Sequence, residues 1–203
     1  MRLVPNSGTD RVIDLVRPHL KPGSQFGCVT PSFSLFAFAE VRDALAKLER
    51  VQLILPPADD TLDFLGGDGD RANRNKLQAR WLANQCAQWL AGKVDLRRAH
   101  GRVPQGAAVM RDPQGSPEQV VLGSFAFSTD GLGLTPGNPM NLIQASESAA
   151  EAAQLAQWFD HQWANLRAQP ERREEPGSPP RPEGEPQAPV TLDTVRLDPP
   201  LGG

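Results

Sequence analysis

The residues of this chain best equipped for chemistry are cationic. Between Arg71 and Arg111 stand nine Lys or Arg and a single acid, Asp95, a local balance of +8 in a 203-residue chain of formal net charge −3. Asymmetry of this kind draws a polyanion to one face. Arg71, Arg74, Lys76, Arg80, Arg97, Arg98 and Arg102 are the candidate contacts to a nucleic-acid backbone. A run of charge also serves as the solvated face of a helix, and that reading stands beside the first. Of three histidines, His100 is followed by Arg102, while His19 and His161 fall in helical stretches with no motif around them and read as surface or helix-end residues. The two cysteines, Cys28 and Cys86, lie in a predicted strand and a predicted helix, without metal-ligand spacing. They read as buried, reduced thiols. No metal and no cofactor is expected.

The elements that must position these residues follow from hydrophobic spacing. The cluster Asn6-Ser7-Gly8-Thr9-Asp10 opens a helix carrying Val12, Ile13, Leu15, Val16 and Leu20, with Pro18 ending or kinking it. Strands are predicted at 25–30 and 51–55, separated by a helix from Ser34 to about Leu48. The five Asp and three Gly of 58–70 read as a solvated loop or one short helix. A long helix is predicted over 73–90, stopped near Gly92. Short strands follow at 94–98 and 106–111. The turn Asp112-Pro113-Gln114-Gly115-Ser116-Pro117 leads into a strand ending at Gly123-Ser124. A Gly-rich turn, Asn138 and a short strand at 140–144 come next. Ser146 is placed to cap a last helix over 147–166. Helices between the early strands favour parallel crossovers, and the 112–117 turn favours an antiparallel pair. The fold class is therefore α/β, a single α/β/α sandwich with a mixed sheet over residues 1–168. Trp81, Trp89, Trp158 and Trp163 all fall on apolar helical stripes and are expected in the core; only an exposed one would suit base stacking.

Two stretches carry a family resemblance. One is Thr30-Pro31-Ser32-Phe33-Ser34-Leu35-Phe36, a strand followed by an aromatic helix start. The other is Gly123-Ser124-Phe125-Ala126, continuing through Gly131-Leu132 and Asn138 to Asn141. Together with the strand Leu53-Ile54-Leu55 they resemble phospholipase D-like domains, most closely the N-terminal copies attached to bacterial superfamily 2 helicases. The resemblance covers most of residues 1–166. It implies a reaction site built from His-x-Lys, an Asp seven residues after the His, and Gly-Ser-x-Asn. In that family the His attacks phosphorus, and the Lys and Asn stabilise phosphate oxygens. Here the His position falls on Gln105, the Lys position on Ala107 and the Asn position on Ala126, while Asp112, Gly123 and Ser124 keep theirs. A carboxamide is no nucleophile for this step, and Ala offers phosphate no donor. No catalytic residue is therefore assigned. His100 is no substitute on spacing, because Ala107 stands seven residues beyond it. A vestigial phosphate pocket would draw on Gln105, Asp112, Ser124, Ser128, Thr129, Asn138 and Asn141. The same Gly and Ser residues equally serve tight turns and local backbone bonds.

The resemblance and the charge together imply a non-catalytic module, binding DNA or serving a helicase in DNA transactions such as defence against phage or plasmids. A phosphodiesterase or nuclease with an altered site and a dimerisation or scaffolding domain are the alternatives. The implied partners are DNA, a helicase or other protein, and a second copy of the chain. No Gly-x-x-x-x-Gly-Lys-Ser/Thr loop occurs, so ATP hydrolysis by that route is not expected. Residues 169–203 are mostly Pro, Glu, Arg and Gly, too poor in large apolar groups to offset their ordering entropy. A disordered, Pro-rich tail or linker is expected there. Its segment 190–197 is apolar enough to dock as a strand. The first residues lack the apolar core of a signal peptide, and no run approaches the roughly 18 apolar residues of a membrane helix. A cytoplasmic location without membrane partners is the expectation.

Overall fold

The computed structural model describes residues 1–57 and 76–166, with side chains 76–80 excluded. All of them fall within the unit Met1–Gln169. The expected 58–70 loop, the start of the 73–90 helix and the expected tail lie outside the described residues.

Seven strands form one mixed sheet in the order β1-β7-β6-β5-β2-β3-β4. They are β1 (Arg2–Leu3), β2 (Gln25–Val29), β3 (Arg50–Leu55), β4 (Val94–Arg98), β5 (Gly106–Arg111), β6 (Pro117–Gly123) and β7 (Ile143–Ala145). The helices are α1 (Val12–Val16), α2 (Leu35–Leu45), α3 (Lys76–Lys93) and α4 (Ala149–Asn165). β2, β3 and β4 run parallel, and β5 and β6 form an antiparallel hairpin across the 112–117 turn. Both orientations are those the connection lengths predict. The two-residue β1 was not legible in sequence; it pairs with β7 at the sheet's edge.

The period-2 alternation of the strands divides the core. Cys28, Leu53, Leu55, Ala108, Met110 and Val121 face one side, beneath α1, α2 and α3. Val29, Ile54, Ala107, Val109 and Val120 face the other, where α4 lays Ala152, Ala156, Phe159 and Trp163. Gly27 makes the α4 contact close. A Cβ there would lie 2.8 Å from the Phe159 ring, so only glycine lets that ring lie flat on β2.

Several boundaries shift for local reasons. α1 is a single turn and a half, followed by a 3-10 turn over Arg17–His19 with Pro18 inside it. Arg11, just past the Asn6–Asp10 cluster, is its N-cap, and its N–H donates to the Asp14 carboxylate. Ser148 caps α4, its hydroxyl accepting from the Glu151 N–H. Ser146, the expected cap, is buried and accepts instead from the Val120 N–H at 3.0 Å, which ties the start of the helix to β6. Gly92 does not stop α3, which runs to Lys93. Two of the four tryptophans escape the core: Trp81 is 55% and Trp158 43% exposed.

Candidate nucleic-acid interface

Gly106 pairs with Gly123 where β5 begins and β6 ends. Gln105 and Ser124 therefore flank one end of the hairpin, both exposed. Ala107 lies one pair further in, opposite Leu122.

The glycines here answer to backbone geometry. Gly123 has φ 137°, and a Cβ on it would stand 2.2 Å from the Leu142 carbonyl oxygen. Gly131 is equally crowded, with the Ala126 carbonyl oxygen 2.1 Å from the Cβ it lacks. The loop between them is pinned from below. Phe127 N–H donates to Thr30 Oγ1 at 2.7 Å, and Ser34 N–H donates to the Phe127 carbonyl at 2.8 Å. The Phe33 and Phe127 rings stack with centroids 4.8 Å apart and an interplanar angle of 2°. The aromatic helix start noticed in the sequence thus anchors the Gly-Ser loop.

The remaining pocket candidates are dispersed. Asp112 sits at the far end of β5, where its carboxylate accepts from the Ser116 N–H at 2.7 Å and closes the hairpin turn. Ser128 is buried; it donates to Asp130 Oδ1 at 2.6 Å and accepts from the Gly131 N–H. Thr129 is buried too, within hydrogen-bond reach of Thr135. Asn138 accepts from the Met140 N–H at 2.9 Å. Asn138 and Asn141 line a polar hollow with Asn6 and Arg11, which shares no lining residue with the hollows at Gln105. The seven candidates do not form one pocket, because strand length and turn bonding separate them.

The basic candidates also divide. Arg71 and Arg74 lie outside the described residues. Lys76 and Arg80 stand on the first turns of α3, their side chains outside the description. Arg97 is tied to the end of α4. It donates to the carbonyls of Trp163 and Leu166, and its guanidinium lies 4.3 Å from the Trp163 ring centroid. Arg98 donates to the Pro56 carbonyl at 3.0 Å, and burial pulls its pKa below the usual arginine range. Both work structurally. Arg102 differs. It is exposed, and among the arginines with described side chains it is the one that makes no hydrogen bond, ion pair or ring contact.

Arg102 borders a groove between the 99–105 loop, the sheet and α4. A hollow of about 310 Å³ contains His100, Arg102, Pro104 and Gln162. A second, of about 200 Å³, runs over Ala107, Val109, Val120 and Leu122 to Leu155. Gln105 and Trp158 line both. Its place on an apolar stripe predicts Trp158 in the core, and the structure puts it at the groove instead. α4 in fact carries two adjacent rows. Ala152, Ala156, Phe159 and Trp163 are buried, while Leu155, Trp158 and Gln162, one step around the helix, form the groove wall. The sequence held that signal: Trp158 and Phe159 are neighbours, and neighbours on a helix point about 100° apart.

No helix among the described residues is long and apolar enough to cross a membrane. No protein-family model matches the chain, and no curated protein matches it. Among solved structures, a chain of TrmBL2, described as an archaeal chromatin protein with a novel mode of DNA binding, aligns at 11% identity over 83% of this chain and 53% of its own, with a TM-score of 0.42. This chain spans about half the length of that protein, and a likeness so slight carries no argument about fold or function.

Proposed function

We propose that the chain is a non-catalytic phospholipase D-like module that binds nucleic acid and serves a helicase-type partner in DNA transactions, including defence against foreign DNA. The helicase and defence parts rest on the resemblance of residues 1–166 alone. One observation supports the binding reading above the others: a guanidinium with no partner among the described residues, Arg102, lies beside Gln105, at the sheet end where the family handles phosphate. With carboxamide and methyl groups in place of imidazole and ammonium, that end retains groups that can hold phosphate and lacks those that would attack it. Contacts of this kind give affinity with little sequence preference and a steep salt dependence.

The test is a titration of labelled DNA with the full chain at two salt concentrations. Binding should fall at least tenfold between about 50 mM and about 200 mM salt. Arg102→Ala should lower the slope of log affinity against log salt by about one. Absence of binding at low salt refutes the proposal. A second reading, a phosphodiesterase with an altered site, has its own observation: His100 lines the same hollow as Gln105. Turnover of bis-p-nitrophenyl phosphate that disappears in His100→Ala would establish it; no turnover is expected.

A further inference from the structure

We infer that the groove between α4 and the 99–105 loop takes a single-stranded nucleic acid, with one unpaired base laid against Trp158. This rests on the nucleic-acid reading above and names its substrate class. Four observations carry it.

An indole is 43% exposed although the residue next to it, Phe159, is buried against the sheet. It stands where two hollows of about 200 and 310 Å³ meet, together enough for a nucleotide. His100, Arg102, Gln105 and Gln162 surround it, and none makes a side-chain hydrogen bond or ion pair with a described residue. The other two histidines are spent, His19 on Glu118 and His161 on Asn165, which leaves His100 as the histidine without a partner among the described residues. No acidic side chain lines either hollow, so the charge suits a phosphodiester chain.

The strandedness follows from access. In a duplex each base face is covered by its neighbours, so an indole on a helix wall reaches only an unpaired base. Stacking on the ring with phosphate on Arg102 is the combination that single-strand binders use. The amides of Gln105 and Gln162 have donors and acceptors for a base edge. The apolar slot over Ala107, Val109 and Leu122 takes a ring and offers nothing to a phosphate.

The experiment is fluorescence anisotropy with the full chain and two probes, an oligothymidylate of about 12 nucleotides and a hairpin duplex of similar length. The single strand is expected to bind more tightly. Trp158→Ala should weaken it by roughly 5- to 100-fold while changing duplex affinity less than about twofold. Trp158→Phe keeps a stacking ring, so it should stay within about threefold of the parent while losing the quenching of tryptophan emission by the single strand. Circular dichroism and a melting curve show that both variants fold. A duplex bound as tightly as the single strand overturns the inference and leaves the nucleic-acid reading standing. So does single-strand binding indifferent to Trp158→Ala. Failure of both probes to bind the parent chain overturns the two together.

Discussion

The two faces of the sheet are built from the same alternating strands and end in opposite conditions. Among the described residues one is closed by three helices, and its buried hydroxyls help hold it closed. Thr30 and Ser34 are fully buried there, the first receiving the Phe127 N–H, the second accepting from the Phe36 and Ala37 N–H groups at the start of α2. Among the described residues the other face has one helix for the same sheet. α4 covers its middle, and beside it an indole, a guanidinium, an imidazole and two amides stay without hydrogen-bond or ion-pair partners among the described residues. Packing completeness separates clamped from free side chains here better than residue type does. Arg97 and Arg102 are five residues apart with the same chemistry, yet one clamps a helix and the other faces solvent.

The sharpest way to break this comparison is to cut one aromatic on each face. Phe38 is fully buried and packs against Phe33 and Trp89, with ring centroids 6.4 and 5.0 Å away. Phe38→Ala should cost about 3–5 kcal/mol in urea unfolding, because transfer and cavity terms add. Trp158→Ala should cost less than about 1 kcal/mol, since its exposed ring leaves little cavity. Equal losses would mean that the groove wall is core after all.

A substitution under α4 tests how tightly the single helix is seated. Gly27→Val pushes branched carbon into the Phe159 ring and should destabilise by about 1–3 kcal/mol, read from the shift in urea midpoint at constant m-value. Thiol reactivity sharpens the comparison on the other side. Burial pushes both Cys28 and Cys86 up to about 12, so neither is thiolate in the folded protein. A thiol reagent at about pH 8 should label nothing until denaturant is added, and then both. Prompt labelling would show that the three-helix face opens.

The smallest effect lies at the sheet's edge, where Arg2 holds β1 to the Asp10 carboxylate at 2.7 Å. That bond keeps the Asp10 pKa below its ordinary value of 3.8. A depressed carboxyl adds stability that is present above the unfolded value and lost as pH falls through the folded one. The pair is partly exposed, so its contribution is at most about 1 kcal/mol. Asp10→Asn should remove that part of the acid dependence in melts taken below about pH 4. An unchanged acid limb would mean that the pair is screened out.

The architecture was legible because apolar runs, turn residues and connection lengths are local. Parallel crossovers at β2, β3 and β4, the 112–117 hairpin and the four helices all follow from such signals. β1 was not, since two residues carry no period. Of the candidate site, strand pairing brings Gln105, Ala107 and Ser124 to one end of the hairpin. Its other proposed members were scattered by the same geometry, Asp112 to the far end of β5 and Asn138 and Asn141 to a separate hollow.

Composition and spacing by themselves determined that this chain makes an α/β layer structure and where its positive charge is concentrated. Only the tertiary structure decided which of those charges are free. A guanidinium five residues from another differs from it solely in what packs around it, and that is settled by segments distant in the chain: the end of α4 reaches Arg97, and nothing among the described residues reaches Arg102.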